Sequence, residues 1–308
     1  SDRLNANSWT RNQSTDPETA NNAPELDYDN FGYTLGGPVV RDNLFFFWSQ
    51  EWRKISRAPA SAVSTTIDPA WLNDPTNANY VAPADRDPNA VALLGLWPEP
   101  NLGVNSFQQT RANDQDTRQE VIRMDWNVTD RNRLMARYTH DLSKTTEPGG
   151  LFFGVAVPDV ATTLTNVPGH VFVAQLTTTL RSNLLNEFSF QYSGNAIKSE
   201  YGPNAVNRRD AYGVNVPELF AENRNALIPT INIQAPGPSL VGAPQLFDNK
   251  YRNTTLSNNL SWQRGNHSLK GGVLLAFELK HEASGSETQG RFTFRAGGGR
   301  TGFQNFLT

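Results

Sequence analysis

The stretch of sequence that decides the fold lies at residues 170–193 and reads HVFVAQLTTTLRSNLLNEFSFQYS. Apolar and polar side chains alternate along it on both sides of the short polar segment Arg181-Ser182-Asn183. Because successive side chains of a β-strand point to opposite faces, each half predicts a strand with one apolar and one polar face. Ser and Asn favour tight reversals of the chain, so the two halves are predicted to form a β-hairpin.

The same pattern recurs three more times along the chain. The four predicted hairpins occupy residues 31–53, 118–142, 170–193 and 250–280. The stretches that separate them are long and rich in Pro, Asn and Asp, and they occupy residues 54–117, 143–169 and 196–249. Short turns at one end of the strands and long loops at the other are typical of a transmembrane β-barrel, with the turns periplasmic and the loops extracellular. A soluble β-sandwich shows the same alternation, since it also buries one face of every strand.

Composition favours the barrel. Of the 308 residues 37% are hydrophobic and 19% are charged, which is polar for a protein with one large core. A barrel needs apolar side chains only in a band of about 25 Å, because its lumen and its loops are hydrated. The longest apolar runs, at 44–48 and 91–97, are far shorter than the roughly 18 residues of a membrane helix. We therefore predict an all-β, antiparallel barrel segment of about eight strands, followed by a stub at 291–296.

Charge and reactive residues narrow the possible functions. Cysteine is absent, which excludes disulfides and thiolate chemistry, and the net charge of -3 without a basic run argues against a nucleic-acid partner. No Ser, His and Asp arrangement forms a catalytic set, and no pair of carboxylates indicates a glycosidase. We predict no enzyme, no cofactor and no metal site. The histidines, which are scattered without ligand-like spacing, are His140, His170, His267 and His281.

The polar faces of the strands supply one set of candidate site residues. A three-residue turn at 130–132 would place Asp125 opposite Arg137 and Arg123 opposite Thr139. Such residues would form a polar track or plug contact in the lumen, or ion pairs that hold the wall in register. The candidate lumen-facing residues are Arg123, Asp125, Arg137, Glu187 and Gln191.

Aromatic side chains supply the second set. Trp126 and Trp262 lie close to short turns, where an interfacial aromatic girdle is expected. In the first long loop, Asp87 followed by Pro88 predicts the start of a short helix over residues 87–97. Aromatic residues in the loops could bind a ligand or pack the loops against each other. The candidate ligand-contact residues are Trp71, Tyr80, Trp97, Phe152 and Tyr201.

Four segments carry a resemblance to a known family. Residues 30–47, which read NFGYTLGGPVVRDNLFFF, resemble the FGxTLGGPxxKDKxFFF segment of TonB-dependent receptors of the Oar-like type. The helix and Pro-Glu-Pro-Asn end of residues 87–101 are similar to the following loop of that family. Residues 258–272, which read NNLSWQRGNHSLKGG, and residues 290–307, with GRFTF followed by TGFQNFL, resemble two later segments in the same order.

The resemblance implies a transporter of the outer membrane of a Gram-negative-type bacterium. Such receptors carry a plug domain that contacts TonB and a barrel of about 22 strands. The chain would then be roughly the first third of the barrel, with 1–29 as the extracellular loop after the first strand and 30–308 as the barrel segment. The implied partners are outer-membrane lipid, the TonB complex through a plug domain absent from this chain, and a small-molecule, peptide or glycan substrate. The alternative is a soluble or surface β-sandwich that binds glycans or acts as an adhesin.

Overall fold

The computed structural model describes residues 6–7, 9–12, 23, 26–57, 63–108, 113–147, 162–202, 207–216, 218, 226–238, 240–243, 246–283 and 289–308. The strands are β1 Leu26–Val40, β2 Leu44–Arg57, β3 Val63–Thr65, β4 Ser106–Gln108, β5 Asn113–Thr129, β6 Asn132–Glu147, β7 Thr163–Arg181, β8 Leu184–Tyr201, β9 Thr230–Ile233, β10 Asp248–Arg264, β11 His267–His281 and β12 Arg291–Phe294. The α-helices are α1 Trp9–Asn12, α2 Pro69–Asn73, α3 Pro88–Leu93 and α4 Gly302–Leu307. Short 3-10 helices cover Pro83–Asp85, Leu94–Leu96 and Asp210–Tyr212. No helix in these ranges is long and apolar enough to cross a membrane.

Eight strands form one sheet in the order β1-β2-β5-β6-β7-β8-β10-β11, and every neighbouring pair is antiparallel. Tight turns join the members of each hairpin at one end of this sheet, and all the long connections leave from the other end. In the described part of the chain the remaining sheets have two strands each, so no second layer of comparable size faces the large sheet. The predicted antiparallel barrel segment is confirmed, and the predicted alternative of a sandwich is wrong.

The strands extend further toward the long loops than the alternation predicted. The first hairpin begins at Leu26, inside the segment predicted as a loop, and β7 begins at Thr163 rather than at residue 170. On β5 and β6 the extensions carry polar side chains on the face that is apolar nearer the short turns, as in the cross-strand pair of Asp116 and Lys144. The long connections shorten correspondingly to residues 58–112, 148–162 and 202–247.

The predicted stub is not a strand of the large sheet. It forms β12, which pairs in parallel with β9 inside the connection between β8 and β10. An alternating apolar segment as short as Arg291–Phe294 can pair with any exposed strand edge, and here a neighbouring loop supplies that edge.

The apolar face of the large sheet is exposed. Ile122, Tyr138, Phe172 and Tyr192 are directly opposite one another across four neighbouring strands, so their side chains share one face. The first three are 49%, 40% and 36% exposed, which is high for large apolar side chains in a folded protein. β11 is exposed along its whole length. The apolar face therefore has the surface expected of a wall in contact with hydrocarbon.

The connections build the one large hydrophobic cluster found among the described residues. We call the described parts of 63–108, 207–243 and 289–308 the loop unit. Its buried apolar residues are Ile67, Trp71, Val81, Ala90, Leu93, Leu96, Trp97, Val214, Ile228, Ile231, Ile233, Val241, Phe303, Phe306 and Leu307. Three helices of the loop unit have local caps, and the Asp68 side chain accepts a hydrogen bond from the Ala70 amide at the start of α2. The predicted helix is confirmed as α3, with the Asp87 side chain accepting hydrogen bonds from the Asn89 and Ala90 amides, and Thr301 and Gln304 form a capping box at α4.

Candidate functional site in the outer loop unit and on the polar sheet face

The five candidate lumen residues share the polar face of the sheet. Arg123 on β5 lies opposite Arg137 on β6, and the same row continues through Val173 on β7 to Gln191 on β8. Asp125 and Glu187 lie two and four positions from members of this row, so their side chains point to the same side. β7 separates the candidates on β5 and β6 from those on β8, so the structure assembles them into one face rather than into one cluster.

The predicted register of the second hairpin is wrong by two residues. Arg123 faces Arg137, and Asp125 faces Met135 rather than Arg137. The reversal uses two residues rather than three, with a bulge between Asn127 and Thr129. The Thr129 hydroxyl accepts hydrogen bonds from the backbone amides of residues 131 and 132, and this holds the shorter turn. Sequence spacing alone does not reveal such a bulge.

Arg123 and Arg137 carry like charges and lie opposite each other. A carboxylate on the same strand as Arg123 offsets the repulsion between them. The Arg123 guanidinium donates two hydrogen bonds to the Asp125 carboxylate, at 2.7 and 2.8 Å. Both side chains are nearly half exposed, so the pair contributes on the order of 0–1 kcal/mol. A shallow cavity of about 380 Å³ lies beside them, and Arg133 and Gln175 also line it. The polar face can therefore contact polar or anionic groups at this level of the wall.

The loop aromatics divide into packing residues and partly exposed ones. Trp71 and Trp97 are 7% and 6% exposed, and they pack on Phe303 and Phe306, with ring centroids 4.9 and 5.8 Å apart. Their prediction as ligand contacts is wrong, because these rings form the interior of the loop unit. The sequence could not indicate this, since their partners lie at the far end of the chain.

The other three aromatic candidates have different surroundings. Tyr80 is partly exposed, and the Arg86 guanidinium lies 5.7 Å from its ring centroid. Tyr201 ends β8 beyond the apolar band, where burial raises the pKa of its hydroxyl to about 12. Phe152 lies outside the described residues. Tyr80 and Tyr201 stay candidates for ligand contact.

An apolar pocket of about 230 Å³ opens in the surface of the loop unit. Side chains from the three separate segments line it, and its apolar walls include Leu93, Val216, Phe292, Phe294 and Phe306. Polar groups of Asp87, Asn89, Asn305 and Thr308 lie at the same pocket. Such a site suits a ligand with an apolar portion and hydrogen-bonding groups beside it. Sequence reasoning missed this pocket because the segments that line it meet only in the fold.

Hydrogen bonds between the segments hold the pocket walls together. The Asp87 amide donates to the Leu307 carbonyl at 2.7 Å, which joins α3 to α4. The Asn215 amide donates to the Asn89 side-chain oxygen at 2.7 Å, and the Gln304 side chain donates to the Tyr80 carbonyl at 3.2 Å. The walls are therefore fixed by contacts among all three segments.

Aromatic side chains lie near both ends of the apolar face. Trp126 and Trp262 are 44% and 37% exposed near the short turns, and the Trp126 indole donates to the Asn43 side chain at 3.0 Å. Toward the loop end, Phe31 stacks on Trp52 with ring centroids 5.5 Å apart. The assignment of Trp126 and Trp262 to an aromatic girdle stays a prediction. Their position near the short turns agrees with it.

In the part of the chain that the structure describes, no three His, Asp or Glu side chains come together as a possible metal site. The polar groups of the loop unit and of the sheet face are instead suited to hydrogen bonding and charge contacts. The absence of a cofactor and of catalytic activity stays a prediction.

A single antiparallel sheet with an exposed apolar face, tight turns at one end and folded loops at the other defines a β-barrel wall of the bacterial outer membrane. The chain matches the family described as the outer membrane beta barrel domain over residues 1–308, and it belongs to that family. Among solved structures it is similar to the outer membrane transporter YddB from Escherichia coli, with 10% identity and a TM-score of 0.43. That similarity covers 84% of this chain and 26% of the YddB chain, so this chain spans about a quarter of the transporter's length. No curated protein matches.

Proposed function

We propose that this chain is part of a TonB-dependent transporter of the Oar-like type, which binds its substrate at the extracellular loops and imports it through a plugged barrel. The energy would come from the inner membrane through TonB and a plug domain. The substrate would be a small molecule, a peptide or a glycan, and the chain would carry no catalytic activity of its own. The resemblance of four ordered sequence segments supports the Oar-like assignment.

The observation that carries the proposal is the loop unit. Two connections and the segment after β11 fold into one packed body at the long-loop end of the wall, and an apolar pocket with polar groups beside it opens in its surface. Loops of a wall that only closes a barrel need no shared hydrophobic core. A rigid binding surface does need one, because fixed walls reduce the entropy lost when a ligand binds.

Uptake by cells that carry the full-length protein tests the energy requirement. Cells with and without TonB would be given labelled peptides, oligosaccharides and iron–siderophore complexes, and accumulation would be measured before and after a protonophore is added. We expect one class to accumulate only in energised cells that contain TonB. Equal accumulation without TonB would identify a passive channel and contradict the proposal.

Binding to the purified full-length protein tests the pocket. Phe292 lines it and is 43% exposed, so Phe292→Ala removes pocket surface without removing a buried core residue. We expect this variant to bind the accumulated substrate at least about tenfold more weakly. Val91→Ala is the matched control, because Val91 is 45% exposed on α3 and does not line the pocket. Equal binding by both variants would place the substrate elsewhere on the loops.

A further inference from the structure

The strand β12 lies at the apolar pocket of the loop unit. It pairs with β9 on one side, and its sheet has no further strand in the part of the chain that the structure describes. We call the side of β12 that faces away from β9 the outer edge. Phe292 and Phe294 are two positions apart, so their side chains lie on one face of β12, and both line the pocket.

The hydrogen bonds of this sheet show which backbone groups face the outer edge. The Thr230 amide donates to the Gly290 carbonyl at 3.0 Å, and the Gln234 amide donates to the Phe294 carbonyl at 2.9 Å. Successive residues of a strand turn their backbone groups in opposite directions, so the Thr293 amide and carbonyl face away from β9. No described residue forms a hydrogen bond with either group. Thr293 can therefore exchange two hydrogen bonds with another chain.

A side chain of α4 joins the outer edge to the pocket. Asn305 lines the pocket, and its side-chain amide donates to the Arg295 carbonyl at 2.7 Å. Residue 295 comes two positions after Thr293, so its carbonyl continues the same edge. The pocket therefore extends to the edge that carries the unpaired groups of Thr293.

The size and chemistry of the pocket limit what can enter it. Its volume of about 230 Å³ is below the roughly 300–1,000 Å³ of sites that enclose a whole drug-sized ligand. It therefore accepts one apolar group of a ligand and leaves the rest outside. Each buried hydroxyl of a sugar would need a hydrogen-bond partner, and most of the walls are apolar. An aliphatic or aromatic side chain fits this pocket better than a sugar ring does.

We propose that the loop unit captures an extended peptide, which adds a strand to the outer edge of β12 and places one apolar side chain in the pocket. The inference rests on the proposed function, for which it selects peptides as the substrate class. In an antiparallel arrangement, one peptide residue exchanges both backbone hydrogen bonds with Thr293. The next peptide residue points to the opposite face, where Phe292 and Phe294 line the pocket. Main-chain bonds supply affinity in this binding mode, and the pocket supplies specificity.

Peptide binding to the purified full-length protein tests the proposal. The probes are fluorescently labelled peptides of sequence acetyl-STXTS-amide, in which X is phenylalanine, leucine or serine, with binding measured by fluorescence anisotropy. A further pair carries phenylalanine or leucine at X and N-methyl groups on both threonine amides, which removes the donor to the Thr293 carbonyl. We expect the serine peptide and the methylated peptides to bind at least about tenfold more weakly than the unmodified apolar peptides.

Thr293→Pro tests the same edge from the side of the protein. Proline removes the Thr293 amide, and an edge strand tolerates proline where that amide makes no hydrogen bond within the sheet. We expect this variant to bind the apolar peptides at least about tenfold more weakly. Thr293→Val is the matched control, because it keeps the amide and removes only the hydroxyl. Hydrogen exchange in 63–108 reports whether the loop unit of each variant stays folded.

Each result has a defined meaning. Equal binding of methylated and unmodified peptides would overturn the proposal, and this comparison requires no variant to fold. Binding of neither apolar peptide would overturn it too, as would full binding by Thr293→Pro with a folded loop unit or equal losses in Thr293→Pro and Thr293→Val. Accumulation of only a glycan or a siderophore through TonB would leave the proposed function in place and exclude the peptide. Peptide binding with accumulation that needs no TonB would support the inference and contradict the proposed function.

Discussion

The large sheet and the loop unit use the same residue types in opposite environments. Phe277 on β11 is 61% exposed, whereas Phe303 in the loop unit is fully buried. A wall strand exposes its apolar side chains because they contact the hydrocarbon of the membrane. In the loop unit, which water surrounds, apolar side chains are buried in the protein interior. Apolar content alone therefore does not indicate where the core of this protein lies.

The two regions also differ in what stabilises them. Hydrogen bonds run continuously from strand to strand through the eight-stranded sheet, and its apolar face gains from contact with lipid. The loop unit has only short helices and two-stranded sheets, so its stability depends on packing in one hydrophobic cluster. Substitutions should therefore separate the two regions, because each responds to a different kind of change.

Removal of the most buried ring should have the largest effect. Phe303→Ala leaves a cavity beside Trp71 and Phe306, and we expect a loss of about 3–5 kcal/mol in the stability of the loop unit. Hydrogen exchange of amides in 63–108 should accelerate, while exchange in β5 to β8 stays slow. The control Phe292→Ala removes the same group from an exposed position. Equal acceleration in the sheet would contradict the separation of the two regions.

A charge on the wall should have the next largest effect, and only on one face. Phe190→Arg is expected to cost about 2–4 kcal/mol if the residue lies near mid-membrane, because a cation must enter hydrocarbon. The adjacent Ser189→Arg places the same side chain on the polar face. Unfolding by guanidinium in lipid vesicles should show a loss for the first variant and little change for the second. Similar losses for both would contradict the assignment of one face to the lipid and the other to water.

The strands of the wall could be predicted from alternation, because one face must be apolar wherever hydrocarbon contacts it. The same rule failed at the strand ends near the long loops. Asp116 and Lys144 are cross-strand neighbours there, because no apolar face is needed at that level. It also could not fix the register at Arg123, since a bulge beside the turn shifts the pairing without changing which face is polar. Face assignment is therefore more robust to such errors than cross-strand pairing.

The loop unit was harder to predict, because its contacts join distant parts of the chain. The cap at Asp87 is a local signal and was found in the sequence. The packing of Trp71 on Phe303 is not local, and no periodicity marks it. An aromatic residue in a loop has the same sequence context whether it binds a ligand or closes a core, so Trp71 and Trp97 could not be assigned from sequence.

Loss of the α3 cap should have a smaller effect confined to the loop unit. Asp87→Ala removes two hydrogen bonds to the Asn89 and Ala90 amides, and we expect a cost of about 1 kcal/mol. Amide exchange in α3 should accelerate by about tenfold or less, with no change in β5 to β8. Asp85→Ala is the control, because Asp85 is an exposed neighbouring carboxylate outside the cap. An equal effect of both variants would assign the change to loss of charge rather than of the cap.

The smallest expected effect is a pH dependence at the junction of the two regions. Glu147 ends β6 beyond the apolar band, and its carboxylate accepts hydrogen bonds from Thr165 and Thr163 at 2.5 and 3.1 Å. Burial raises the pKa of Glu147 above its ordinary value of 4.5, and these hydrogen bonds only partly oppose the shift.

The folded state therefore holds this proton more tightly than the unfolded state does. The resulting stability is fully present below pH 4.5 and is lost as the pH rises through the raised pKa. Glu147→Gln keeps an oxygen acceptor and removes the charge, so it should stabilise the protein at about pH 8 and change little at about pH 4. Guanidinium unfolding at both pH values measures this, with Glu200→Gln as the exposed control. A gain at about pH 4 equal to that at about pH 8 would assign the effect to packing rather than to ionisation of Glu147.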